Sequence, residues 1–305
     1  MRIQAKLAAG LSIVLAASAD AAAGPADFRA SEPVVIEGYD GHAMEPFLSR
    51  DGALLFFNNR NQPKDETDLH VAERIDDRRF RYLGPLDGAN SEDLDGVPSM
   101  DRAGRFYFVS PRAYGETRNT LWTGEFSDGA LTNVQPLRGD VSRDKPFWLN
   151  IDAEISADGE TLYFVENRWR IFGGGVKSAN IFAARRDETG AFIRLPNVSD
   201  LFKEINTEKL EFAPSVTEDE LTLYFTRVDK KALRRSVDEG FGLFVSTRPS
   251  IAEPFGPPER IEAVRGYVEG PTVSPDACAI YFHQRVDEVF EIRRAERADC
   301  DPGRR

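Results

Sequence analysis

The sequence predicts an all-β fold: a five-bladed β-propeller of four-stranded antiparallel blades, its ring closed by an N-terminal strand. Three observations carry that prediction. One motif occurs five times at a near-regular period. Each copy reads as an Asp-turn hairpin followed by two further strands. The last copy lacks a fourth strand that the N-terminus is able to supply.

The chain opens with a processing signal. Arg2 and Lys6 precede an apolar run from Leu7 to about Ala19, and small residues continue to Gly24. A charged start, an apolar core and A-x-A steps mark a cleavable leader over residues 1–23, with cutting after Ala19, Ala21 or Ala23. The run is short for a bilayer span. The sequence therefore predicts one mature domain, 24–305, in the periplasm or outside the cell, with no membrane span after cleavage.

The repeat follows. It reads MEPFLSRDGALLFF at 44–57, DGVPSMDRAGRFYF at 95–108 and DAEISADGETLYF at 152–164. It returns as EFAPSVTEDELTLYF at 211–225 and EGPTVSPDACAIYF at 269–282. The closing Phe residues lie 51, 56, 61 and 57 positions apart. Apolar, aromatic-rich segments around an Asp-Gly or Asp-Ala turn form a hairpin. Asp accepts hydrogen bonds from turn amides, and Gly tolerates the positive φ. Third strands are expected at 69–72, 121–123, 181–184, 243–246 and 289–292. Fourth strands are expected at 80–83, 131–137, 192–195 and 259–263. Four strands in 50–60 residues is roughly the size of a propeller blade, and no segment has a long helical period. The stretch 33–47 matches 259–272, setting Ile36 beside Ile261 and Pro46 beside Pro271. Val34–Glu37 is thus expected to complete the fifth blade, which leaves no open edge.

The run Pro-Ser-x-x-Asp-Gly-x-x-Leu-Tyr-Phe resembles the WD-like repeats of the TolB-type propeller, over nearly the whole mature chain. The resemblance implies the propeller fold and a recognition or scaffold role. Copy two is one residue short in its turn, and copies four and five lack the Gly.

The same alignment gathers polar residues at one face. The first strands begin with acids: Glu45, Asp95, Asp152 with Glu154, Glu211 and Glu269. The second strands end with arginines: Arg60, Arg112, Arg168, Arg227 and Arg285. An acid and an arginine per blade imply bidentate salt bridges between neighbouring blades, or a polar ring that grips a ligand. Symmetry breaks in the second-to-third strand loops, long at Glu166–Asn180 and Thr226–Gly242. Tyr39, Tyr114, Trp148, Trp169, Phe172 and Tyr267 fall on this face, as exposed aromatics do on recognition surfaces. His42 and His283 approach the channel and could share a site with Glu45 or Glu269, whereas His70 reads as structural.

Other chemistry is excluded or unsupported. A net charge of −12 opposes nucleic-acid binding. Gly173-Gly174-Gly175-Val176-Lys177-Ser178 lacks the Gly before Lys and does not open a helix, so it is no phosphate loop. No hydrolase elbow, zinc-protease or calcium-loop pattern occurs, and no metal or cofactor is expected. Cys278 and Cys300 are expected to meet at one face as a disulfide in an oxidising compartment. The sequence thus points to a monomeric binding module for a protein or glycan partner. The alternative is a carbohydrate-active enzyme using channel carboxylates. An acid deep in the channel without an arginine favours the enzyme, and five closed pairs favour recognition.

Overall fold

The computed structural model describes residues 24–61, 67–170 and 175–300. The leader 1–23, Phe172, Gly173 and Gly174 lie outside the described residues. Two short strands come first, β1 (Glu32–Pro33) and β2 (Val35–Glu37). The first unit is β3 (Met44–Leu48), β4 (Leu54–Asn58), β5 (Leu69–Arg74) and β6 (Arg79–Pro85). The second is β7 (Gly96–Met100), β8 (Arg105–Val109), β9 (Leu121–Ser127) and β10 (Ala130–Pro136). The third is β11 (Trp148–Ile155), β12 (Thr161–Trp169), β13 (Val176–Arg186) and β14 (Phe192–Arg194). The fourth is β15 (Leu210–Val216), β16 (Thr222–Val228), β17 (Phe241–Thr247) and β18 (Glu259–Arg260). The fifth has β19 (Val268–Val273), β20 (Ala279–Val286) and β21 (Val289–Glu296), and β1 lies antiparallel beside β21.

The hairpin turns explain why this motif repeats. Ser49, Ser156, Thr217 and Ser274 each donate a hydroxyl hydrogen bond to the Asp two residues on, at 2.6, 2.5, 2.6 and 2.5 Å. Each hydroxyl in turn accepts the amide that opens the second strand. The second strands then bury their aromatics: Phe56, Phe57, Phe106, Phe108, Phe164, Phe225 and Phe282 are all inaccessible. Among the described residues helix is confined to four-residue turns.

Two expectations need correction. Val34–Glu37 does not run beside the last strand. Glu32 and Pro33 pair with Arg294 and Arg293 of β21, and the Val34 amide still reaches Ile292 O at 2.9 Å. The chain then turns away, and β2 lies parallel to β6. Burial of Ile36 among Leu55, Phe57 and Phe80 drives the switch. The stretch 166–180 is also not a loop at its ends. β12 and β13 stay paired as far as Trp169 and Val176. The 226–242 loop instead folds into two helical turns, α1 (Lys230–Leu233) and α2 (Val237–Gly240), capped by the Asp229 and Ser236 side chains.

Cys278 and Cys300 are joined by a disulfide that ties the C-terminal segment to the turn of the fifth unit. A sequence separation of 22 gives it roughly 3 kcal/mol by the chain-entropy relation.

Candidate functional site

Every first strand carries the same defect. Pairing with the second strand slips between Met44 and Phe47, Gly96 and Ser99, Asn150 and Ala153, Phe212 and Ser215, and Glu269 and Thr272. These are β-bulges, which bend a strand and re-aim its side chains. In four copies the residue after the first anchor has positive φ: Glu45 (49°), Val97 (56°), Ala213 (49°) and Gly270 (64°). A proline follows in each of those four, and the third copy has Asp152 in its place.

The bulged amides leave the ladder and find acceptors on the preceding unit. Val97 N–H donates to Asn58 Oδ1 at 3.1 Å, Ala213 N–H to Asp152 Oδ2 at 3.0 Å, and Gly270 N–H to Thr226 Oγ1 at 3.1 Å. Glu45 N–H donates to His283 Nδ1 at 3.1 Å. That bond fixes the neutral tautomer, so Nε2–H faces Glu269 Oε2 at 3.4 Å. Burial lowers the pKa of His283, consistent with a neutral ring. His42 is engaged elsewhere, accepting the Phe290 amide. His70 is structural, its Nδ1 at 2.8 Å from the Tyr82 hydroxyl.

This register sorts the five acids. Asp95 and Glu211 stand just before the bulge anchor, and each meets the arginine of its own unit. Asp95 pairs with Arg112 and also accepts from Ser91. Glu211 pairs with Arg227 at 2.9 Å and accepts from Thr207. Both bridges lie within one unit, not between neighbours as the ring pattern suggested. Arginines also reach between units from the turn end: Arg50 meets Glu154 at 3.3 Å, and Arg248 donates to the Tyr163 hydroxyl at 2.7 Å. Glu154, bound also by Ser99 at 2.8 Å, lines the same space as Glu45 and Asp152, and burial raises its carboxyl against the pull of Arg50.

The other three acids occupy three different places in the bulge, and among the described residues no arginine pairs with them. Glu269 is the anchor itself, Glu45 is the positive-φ residue, and Asp152 replaces the proline. No ion pair joins Arg60 to Glu45 among the described residues; Asn61 Nδ2 donates to Glu45 Oε1 at 2.8 Å. Arg168 lies over the Trp148 ring, 5.4 Å from its centroid. Arg285 pairs with Glu288 at 2.6 Å. A space of ≈ 30 Å³ lined by Glu45, Asp152, Pro98, Pro214 and Pro271 separates the bulges, enough for one or two waters.

Burial without cationic compensation raises all three carboxyls. Glu45 is pushed up to about 7 by burial, with His283 opposing and Asp152 and Glu269 adding to the rise. Asp152 is pushed up to about 7 by burial, against the Ala213 amide and with Glu269. Glu269 is pushed up to about 8 by burial, against a hydrogen bond from Tyr267. At neutral pH the cluster thus holds carboxylic acid and carboxylate together, the pairing that acid–base chemistry requires. Among the described residues no three His, Cys, Asp or Glu side chains form a group able to hold a metal ion.

The raised carboxyls set a pH dependence of stability. Between pH 6.5 and 8 the folded chain holds protons that unfolded carboxylates, titrating near 4, have lost. Stability therefore falls as pH rises through this window, by on the order of 2 kcal/mol. Below about 6.5 His283 and His70, both lowered by burial, act in the opposite sense and flatten the curve. Urea denaturation at pH 6.5 and 8 checks this; equal or greater stability at pH 8 contradicts it.

The aromatic residues divide. Tyr39 packs on Phe57 and Tyr82, and Tyr267 stacks on Phe241 at 4.1 Å. Tyr114 is half-buried and donates to Trp148 O at 2.9 Å. Trp169 and Phe147 are each 42% exposed, joined by the Trp169 N–H to Phe147 O bond at 2.8 Å.

No protein-family model and no curated protein matches the chain. Among solved structures it is similar to an endo-arabinase from Bacteroides thetaiotaomicron, at 14% identity and TM-score 0.55, over 88% of this chain and 99% of that one. It is similar to a family 117 glycoside hydrolase from Zobellia galactanivorans, at 10% identity and TM-score 0.55, over 91% and 93%. TolB from Acinetobacter baumannii matches at 12% identity and TM-score 0.44, over 83% of this chain and 54% of that one. The first two likenesses show the fold: this all-β chain is a β-propeller.

Proposed function

We propose that this chain is an exported, five-bladed, closed propeller that hydrolyses glycosidic bonds at the acid cluster on its axis. Five blades and closure are supported by the packing order of the first strands: β3 on β7, β7 on β11, β11 on β15, β15 on β19, and β19 on β3. Pairing of β1 with β21 supports the same reading. Export is supported by the leader-like N-terminus and the disulfide. Among the described residues no helix is long and apolar enough to cross a membrane.

The observation that carries the catalytic reading is the set of three arginine-free carboxyls raised into the neutral range. Glu269 has the highest pKa and the most exposed side chain of the three, at 13%, so it is assigned as the proton donor. Glu45 and Asp152 supply the ionised partner that activates water or stabilises the oxocarbenium-like centre. The glycosidase names among the structural neighbours agree with this choice, and it displaces the recognition role that repeat symmetry favoured. Incubation with a panel of plant, algal and bacterial polysaccharides and aryl glycosides, read by release of reducing ends, tests it. A panel without release, beside measurable glycan binding, leaves recognition as the function. The narrowness of the space between the bulges is the observation that favours that second reading.

A further inference from the structure

The β12–β13 hairpin of the third unit is basic, on a chain whose net charge is −12. Arg143 and Arg168 lie 4.9 and 5.4 Å from the Trp148 ring centroid. Arg143 also binds the buried carboxylate of Glu166 at 2.6 Å. Arg168 and Arg170 are exposed, and among the described residues no carboxylate pairs with either. Lys230 of α1 crosses from the fourth unit, its Nζ donating to Val176 O at 3.1 Å and Lys177 O at 3.2 Å. Its pKa is lowered by burial and then by repulsion from Arg170, which brings those two cations into one field. Exposed Trp169 stands between Arg168 and Arg170 in sequence and offers an apolar ring face.

This arrangement is not a structural clamp. A clamp pairs its cations with carboxylates, as Asp95–Arg112 and Glu211–Arg227 do, and buries its aromatics. Here Arg168 and Arg170 meet no carboxylate among the described residues, and the neighbouring Trp169 is exposed. Carboxylate or sulfate groups meet the guanidinium forks, and the pyranose ring face meets the indole. The patch also adjoins the acids: Trp148 and Asp152 share β11, four residues apart, or about 13 Å of strand.

We propose that the third-unit hairpin, through Arg168, Trp169 and Arg170, binds an anionic polysaccharide and so makes a uronate-bearing glycan the substrate of the channel acids. This rests on the hydrolytic reading for the word substrate, but the binding itself does not. A positive rim on an acidic protein attracts a polyanion locally while the remaining surface repels it, which favours chains threaded across the third blade.

The test is affinity electrophoresis and titration calorimetry of the mature chain with polygalacturonate, neutral galactan and a single-stranded oligonucleotide. The expected result is retention by polygalacturonate alone, weakening as salt rises. Arg168→Glu with Arg170→Glu is expected to lower that affinity at least tenfold, and Trp169→Ala several-fold, with melting temperatures unchanged. Should the double reversal not fold, Arg168→Gln with Arg170→Gln serves instead. Equal binding of galactan, equal binding of the oligonucleotide, no retention, or retention indifferent to the arginine changes each overturns the proposal. Binding of polygalacturonate with no glycan cleaved upholds it and removes the hydrolytic reading. Cleavage of neutral glycans without polyanion binding does the reverse.

Discussion

Glu269→Gln is expected to lower the rate of glycan hydrolysis by about 10²- to 10⁴-fold, the usual worth of a positioned general acid. Gln keeps the shape and a hydrogen-bonding oxygen, so the contacts to Tyr267 and to His283 Nε2–H at 3.4 Å survive in kind. What disappears is the proton that a carboxyl raised to about 8 still holds at neutral pH. The wild-type rate should follow a bell, rising as the partner carboxylates ionise near 7 and falling as Glu269 loses its proton near 8. The variant should lose the alkaline limb. An aryl glycoside with a good leaving group should be less affected, because it needs little protonation. Reducing-end release and a pH profile read both effects. A variant as active as the wild type removes Glu269 from the chemistry.

Arg227→Ala is expected to destabilise the fold by about 3–5 kcal/mol, the cost of leaving one partner of a buried ion pair alone. Glu211 is fully buried, and Arg227 covers it while also donating to Ile205 O at 2.8 Å and lying 4.8 Å from the Phe244 ring centroid. Removing the guanidinium strands a carboxylate that Thr207 alone cannot satisfy. The double variant Glu211→Gln with Arg227→Met should recover most of the loss, since no uncompensated charge then remains. Urea titration gives both numbers. If the single change costs under 1 kcal/mol, the pair is a surface-like bridge and the contrast with the arginine-free acids loses its force.

That contrast was only half legible in the sequence. Alignment on the turn Asp showed an acid and an arginine in each of the five copies. Their pairing was not legible, because a bulge shifts each first strand against its partner and one residue of slip re-aims a side chain. Asp95 and Glu211 share a register, and the other three acids do not share it with them or with one another. One signal was present: four copies have a proline where the third has Asp152. In the sequence, Glu166–Asn180 reads as a long loop, whereas β12 and β13 pair through both of its ends. Its pairing is held in place by the rest of the strands, which the local sequence does not reveal.

By itself, the sequence determined the repeated unit. Hydroxyl–Asp turns and buried Tyr-Phe or Phe-Phe pairs are local devices, readable wherever they recur. The tertiary structure decided which acids keep their protons. That depends on the side chain each bulge turns toward the axis and on whether an arginine from the same unit can reach it. It also decided where the N-terminus goes: the pairing of two residues with the last strand, then burial of Ile36 beside the first unit, is a competition between sheets that no single segment encodes.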